Sequence, residues 1–374
     1  MIRIVHVISD LDTGGAEVMV TKLVGRMDRE QFSNTVISLT DHGELGDQIE
    51  MQGVPVHALG MKRGRVDFAA LPRLIRLLKS IRPDIVQSWL YHADFLSTLA
   101  VRMAGSSLLI WNVRCSDMDL TRYRSLTRWI QRILAWWSHN PEAVVVNSQA
   151  GKSLHERLGY RPKRWEVIPN GFDLDRFCPR SDVRSAQRKE WGVSDGTVVI
   201  GVIARLDPMK DHATFLEAAR RLANRRRDVL FVLMGRDTEK LAAAVAEKGL
   251  TDQVRLLGYR EDVEQQLPGM DTVCLSSAFG EGFPNVLGEA MACGIPCVVT
   301  DVGDAGSIVG ETGLVVPPRN AEVMAEAMMT LVDEGREARR LRGAAARKRI
   351  QSEYSLARIT DRYQQLYREL CSTP

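Results

Sequence analysis

The sequence predicts an α/β protein made of two doubly wound domains, each a parallel sheet with helices on both faces, facing each other across a central cleft. Three observations predict it. Short apolar runs rich in β-branched residues alternate with amphipathic helical stretches along the chain. The length of 374 residues suits two domains. A turn-rich break at residues 168–179 (IPNGFDLDRFCP) divides the alternation into two halves.

Residues 2–9 (IRIVHVIS) read as a buried parallel strand, followed by a Gly-containing turn at 12–15 and an amphipathic stretch at 16–27. Further strands are predicted at 34–39, 54–59, 84–88, 108–113 and 143–147, with helices at 71–81 and 123–137. After the break, strands at 197–205, 229–234, 254–258, 272–276 and 296–300 alternate with helices at 213–224, 238–247, 286–292 and 321–333. A highly charged surface helix and a long final helix at 356–370 close the chain. Ligands of such sheets bind outside the carboxyl ends of the strands, so the chemistry is expected on loops just after strands.

Composition narrows the class. Hydrophobic residues make up 45% and charged residues 26%, enough for two cores and unlike a disordered chain. A net charge of +3 gives no reason to expect nucleic-acid binding. The charge is unevenly placed, with 13 Lys/Arg against five Asp/Glu between Met51 and Asn140. The six cysteines form no C-x-x-C pair and read as reduced core thiols of a cytoplasmic protein, not as a zinc site. No apolar run approaches the roughly 20 residues needed to span a bilayer, so contact with the inner face of a membrane would be peripheral. There is no G-x-G-x-x-G after the first strand, which disfavours a dinucleotide dehydrogenase.

Two clusters carry candidate chemistry. Arg205 ends a predicted strand, and Lys210 follows within Ala-Arg-Leu-Asp-Pro-Met-Lys-Asp. Arg holds phosphate oxygens through two N–H groups and Lys acts as a point charge. Taken alone, the pair also fits an ordinary solvated loop. The second cluster is Phe279-Gly-Glu281-Gly282-Phe283-Pro-Asn285-Val286-Leu-Gly-Glu289, after the strand ending near Ser276. Its glycines permit close approach of the backbone, Pro284 suits a first helical turn, and the two carboxylates suit sugar hydroxyls. Either Glu by itself also fits a plain helix residue.

Glu281-x7-Glu289, followed by Ala-Met-Ala-x-Gly-x-Pro, resembles the signature of family 4 retaining glycosyltransferases, which have the two-domain GT-B fold. Gly14-Gly15-Ala-Glu, Ile168-Pro-Asn-Gly-Phe-Asp173, Ala204-Arg205 to Lys210, Leu257-Gly-Tyr-Arg260 and Thr312-Gly-Leu-Val-Val-Pro-Pro318 agree, in order, over most of the length. The resemblance implies that Arg205 and Lys210 bind the donor diphosphate. It implies that Glu281 contacts the donor sugar and that Glu289 holds the ribose. Backbone around Gly282, Phe283, Asn285 and Val286 would line the sugar and phosphate, and the segment from Gly258 to Arg260 would read the base. Gly14 and Gly15 would approach the diphosphate from the other domain. It also implies that the N-terminal domain comprises residues 1–175 plus about 360–374, and the nucleotide-sugar domain 176–359.

Many relatives carry a His near the sugar. Here Arg114 stands near that place, and His92 is the other candidate for the sugar or acceptor side. The triplets Asp10/Asp12, Asp117/Asp119 and Asp173/Asp175 read as chance, so neither metal nor cofactor is expected. The stretch 121–138 (TRYRSLTRWIQRILAWWS) reads either as a packed helix or as one lying on anionic lipid. The expected activity is transfer of a sugar from a nucleotide diphosphate, UDP being the favoured carrier, to a saccharide or lipid-linked acceptor in bacterial surface polysaccharide or glycolipid synthesis. A nucleotide-sugar epimerase on the same fold is the alternative, and a relative that only binds is a third reading.

Overall fold

The structure, a computed structural model, describes residues 1–12, 14–62, 67–105, 107–114 and 125–372, the side chains of residues 125 and 126 excepted. The chain divides into two compact units, Met1–Gly171 with Leu356–Pro374, and Phe172–Ser355.

The first unit runs β1 (Ile2–Ile8), α1 (Gly15–Arg26), β2 (Phe32–Ser38), α2 (Gly43–Met51), β3 (Val56–Ala58), α3 (Ala70–Ile81) and β4 (Ile85–Trp89). It continues α4 (Tyr91–Ala104), β5 (Leu108–Val113), α5 (Ser125–Trp137), β6 (Ala143–Val146), α6 (Gln149–Arg157) and β7 (Trp165–Val167). Its strands form a parallel sheet in the order β3-β2-β1-β4-β5-β6-β7. Alternate residues of β1 feed opposite faces. Ile4 and Ile8 join one buried cluster, and Val5 and Val7 join the other.

The second unit runs α7 (Ser181–Glu190), β8 (Val198–Ile203), α8 (His212–Arg225), β9 (Val229–Met234), α9 (Ala242–Glu247), β10 (Val254–Gly258), α10 (Val263–Gln266) and β11 (Thr272–Leu275). It continues α11 (Asn285–Ala292), β12 (Cys297–Thr300), α12 (Ala305–Val309), β13 (Leu314–Val316), α13 (Ala321–Asp333) and α14 (Gly335–Glu353). Its parallel sheet has the order β10-β9-β8-β11-β12-β13. The last helix, α15 (Leu356–Ser372), returns to the first unit, where Ile359, Tyr363, Leu366 and Tyr367 enter the same cluster as Ile4 and Ile8.

The predicted α/β class is the one observed. Several expectations change in detail. The helix expected at 238–247 splits into a 3-10 turn, Thr238–Leu241, and α9. Pro284 stands at the N-cap of α11, not inside its first turn. The strands β7 and β13 and the helices α2, α4, α6, α7, α10 and α12 were not anticipated. Three of the buried or partly buried thiols, those of Cys274, Cys293 and Cys297, are free and lie in the second unit's core, where burial raises the pKa of the latter two to about 12.

Candidate active site

In both sheets the strand order reverses beside the first strand of the unit, between β1 and β4 and between β8 and β11. Helices leave such a pair toward opposite faces, and the loops after the two strands are left side by side at the carboxyl edge. The predicted clusters occupy these loops.

Arg205 to Lys210 follow β8. Asp207 organises this turn: its carboxylate accepts from the backbone N–H of Met209 at 2.9 Å and from Arg205 at 3.3 Å. Burial pushes the Asp207 carboxyl up, but the Met209 N–H and the nearby Arg205 and Lys210 outweigh it and hold the pKa below its usual value. Asp211, at φ 46°, then caps α8 by accepting from Thr214 N at 3.2 Å. Gly235 is required beneath this turn, since a Cβ there would lie 2.2 Å from the Ala204 carbonyl oxygen.

The loop after β11 is tied to the first. Ala278 N donates to Met209 O at 2.8 Å, and Ser276 Oγ donates to Lys210 O at 2.7 Å. These bonds bring Lys210 Nζ to 2.5 Å from Glu281 Oε1. Their side chains are only 15% and 7% exposed. Ser277 Oγ also donates to Oε1 of Glu281, whereas Oε2 accepts no hydrogen bond among the described residues. The backbone on the far side is braced as well. Asp304 N donates to Gly282 O at 2.9 Å, and a Cβ at Gly303 would lie 2.2 Å from Glu281 O.

Arg205, Lys210, Glu281 and Gly282 thus lie on two loops joined by hydrogen bonds. Glu289 is half-buried just over one turn inside α11, and Asn285 and Val286 open that helix. Phe283 is buried, its ring 6.1 Å from that of Phe172 and 5.4 Å from that of Tyr354, so its side chain is core. Arg260 follows β10 at the far edge of the sheet, and its guanidinium is held by both oxygens of Asp262 at 2.9 Å.

In the first unit, Gly14 is the N-cap of α1 and Gly15 its first residue. The buried Glu17 folds back over this turn, and a Cβ at Gly14 would lie 2.2 Å from Glu17 Oε2. Burial, with the charge of Asp10 nearby, raises the Glu17 pKa against the pull of the backbone N–H groups of Glu17 and Ala16. His92 is exposed in the first turn of α4, two residues after Leu90, whose φ of 74° is a strained backbone for a leucine. Arg114, after β5, sits 4.7 Å over the Trp89 ring. It donates to Asn112 Oδ1 at 3.1 Å, Tyr363 Oη at 2.9 Å and Asn170 Oδ1. Burial lowers its pKa.

Sequence reasoning missed Ser277, Asp207 and the partners of Arg114. Asp-Pro before a turn could have identified Asp207 as a cap; nothing local marks Ser277 or Tyr363. Of the Asp triplets, Asp173 Oδ1 accepts the backbone N–H of Asp175 at 3.0 Å, and Asp10 Oδ1 that of Asp12 at 3.4 Å, both turn bonds. Asp117 and Asp119 lie outside the described residues, as do residues 121–124 of the Trp-rich stretch.

Two parallel α/β units, each with a strand-order reversal beside its first strand, have the architecture of the GT-B fold. Residues 13–176 match the family Glycosyltransferase Family 4, and residues 197–334 match Glycosyl transferases group 1. The chain belongs to glycosyltransferase family 4. It is 25% identical over 354 residues to the UDP-Gal:alpha-D-GlcNAc-diphosphoundecaprenol alpha-1,3-galactosyltransferase of Escherichia coli, covering 90% of this chain and 89% of that one. It is 23% identical over 342 residues to the N-acetylgalactosamine-N,N'-diacetylbacillosaminyl-diphospho-undecaprenol 4-alpha-N-acetylgalactosaminyltransferase of Campylobacter jejuni, covering 87% and 89%. The fold matches that of Anabaena HepE in complex with UDP-glucose, with a TM-score of 0.81 at 21% identity over 100% of both chains.

Proposed function

We propose that this glycosyltransferase moves a sugar from a UDP carrier to a hydroxyl of a lipid-linked saccharide, with retention at the anomeric carbon, in bacterial surface polysaccharide or glycolipid synthesis. The observation that carries the donor site is Glu281. Lys210 and Ser277 fix one carboxylate oxygen, and the other is left to accept a sugar hydroxyl. The anomeric carbon–oxygen bond to the diphosphate breaks while the acceptor oxygen bonds to that carbon on the same face. The acceptor proton passes to the leaving phosphate. Lys210 and Arg205 offset the charge that grows there. Glu289 takes the ribose hydroxyls, Arg260 and its neighbours the base, and the opening turn of α11 offers backbone N–H groups to the diphosphate. His92 and Arg114 belong to the acceptor side. Arg114 acts there through the fixed frame of Trp89, Asn170 and Tyr363.

Carrier and acceptor rest on the relatives. The Escherichia coli protein's name gives it UDP-Gal and a diphosphoundecaprenol acceptor, and the Campylobacter name gives a diphospho-undecaprenol acceptor. Peripheral contact with anionic lipid fits the exposed stripe of α5. Trp129 and Trp136 are 63% and 75% exposed, with Arg132 6.0 Å over the Trp129 ring. Trp137, by contrast, stacks on Phe95. Among the described residues no helix is long and apolar enough to cross a membrane.

A thermal-shift panel of UDP- and GDP-sugars tests the reading. A UDP-sugar should raise the Tm of the wild type and should do so far less in Lys210→Ala. Stabilisation by GDP-sugars alone would refute the carrier, and no response to any nucleotide would refute the donor site. Incubating the donor alone separates the epimerase: isomerised nucleotide sugar would favour it.

A further inference from the structure

A cavity of about 270 Å³ lies in the second unit, at the other edge of the sheet from Glu281. Asp271 leads into β11 and Ile295 into β12, so the cavity opens at the amino-terminal ends of these strands. Five arginines line it: Arg180, Arg184, Arg336, Arg339 and Arg340. The carboxylate in its wall is that of Asp271. That group is already engaged. Its Oδ1 accepts from Arg184 at 2.7 Å, and its Oδ2 accepts from Arg188 at 3.0 Å and from Val199 N at 2.8 Å.

The remaining cations are poorly neutralised. Arg339 is 8% exposed and donates to the carbonyls of Leu331 and Val332 at 2.7 and 2.9 Å, with no carboxylate partner among the described residues. Arg336 has neither a hydrogen bond nor an ion pair among the described residues, and it is exposed. Arg180 reaches Gln265 and Asp182 only at 3.5 Å each. Arg340 pairs with Glu337 at 2.7 Å, but both side chains are well exposed, so water and salt weaken that pair. Asp228 acts on Arg339 through space only and is itself paired with Arg226 at 2.7 Å, so an anion in the cavity offsets part of the cost of burying that guanidinium. Guanidinium forks match phosphate oxygens. Met270 and Ile295 give the cavity an apolar side.

We propose that this cavity is a second anion site, for a small phosphate-bearing molecule, distinct from the donor site. Its wall includes Cys293 and Gly294, the residues that end α11, the helix that carries Glu289. An occupant would therefore touch the far end of a donor-site helix.

Isothermal titration of the full chain with inorganic pyrophosphate tests this. The background is Lys210→Ala, which removes a donor-site cation. Pyrophosphate should still bind to Lys210→Ala. Adding Arg336→Glu and Arg340→Glu should weaken it at least tenfold while the circular dichroism spectrum is unchanged. Should the Glu pair disturb folding, Arg336→Gln with Arg340→Gln should still weaken binding severalfold. No binding to Lys210→Ala, or equal binding when the two arginines are replaced, would overturn the proposal.

Discussion

Lys210 and Glu281 come from loops 71 residues apart in sequence and form a largely buried ion pair. Removing one partner of such a pair leaves the other charge buried, which costs about 3–5 kcal/mol. Lys210→Ala should therefore lower stability in urea unfolding as well as activity, and adding Glu281→Gln should restore part of that stability. Full additivity of the two changes would show that the pair is not coupled. His6 offers a second test. Its Nδ1 accepts from Trp89 Nε1 at 3.3 Å, so Nε2 carries the proton toward Asn34 Oδ1 at 3.1 Å, and the neutral ring is matched on both sides. Burial lowers its pKa from 6.5 to about 4, against the opposing effect of Asn34. The unfolded chain binds this proton below pH 6.5 and the folded chain does not, so stability falls as pH drops from 6.5 toward 4. The loss attributable to His6 is about 3 kcal/mol. His6→Gln should flatten that part of the stability–pH curve, and an unchanged slope would contradict the assignment. At this scale the positions of Arg205 with Lys210, and of Glu281 with Glu289, were legible because each pair lies in one short run after a strand. The setting of Arg114 was not, because Tyr363 comes from 249 residues away.

Among the elements, α11 shows how packing overrides propensity. A Cβ at Gly288 would lie 2.0 Å from the Phe172 ring. Gly288→Ala should thus destabilise by about 1–3 kcal/mol through overpacking, despite the better helix propensity of alanine. Stabilisation in a urea titration would contradict this. The same balance explains which elements the sequence concealed. Helix α4 buries Asp94, Ser97 and Thr98 alongside Tyr91, Ala93 and Ala100, so small and polar residues blur its apolar face. Helix α7 buries Val183 and Arg188, and the arginine finds Asp271 and three carbonyls that no local pattern announces. The strands β7 and β13 are three-residue edges, too short for a period to show. The strands β9 and β10 were read to the residue, because their runs are long and apolar or clearly bounded by turns.

The whole molecule depends on a chain that leaves the first unit at Gly171 and returns at Leu356. A Cβ at Gly171 would lie 2.9 Å from Leu356 Cα, so these two segments pack without room for a side chain. Truncation before Leu356 should expose the cluster around Ile4 and Ile8 and leave the first unit with fast hydrogen exchange; protected β1 amides would contradict that. The surface of α5 makes a separate prediction. The full chain should float with anionic liposomes at low salt, and Trp129→Ala with Trp136→Ala should release it. Equal flotation of the double variant would remove this helix from the account.

The donor-site assignment is tested most directly by sugar transfer from a UDP donor by the wild type and Glu281→Gln, with the product's anomeric configuration read by NMR. The proposed site predicts retention in the wild type and a fall of at least about a hundredfold in kcat for the variant, a loss on the scale of one transition-state contact, with UDP still bound. Near-normal turnover by Glu281→Gln, or an inverted product from the wild type, would contradict it.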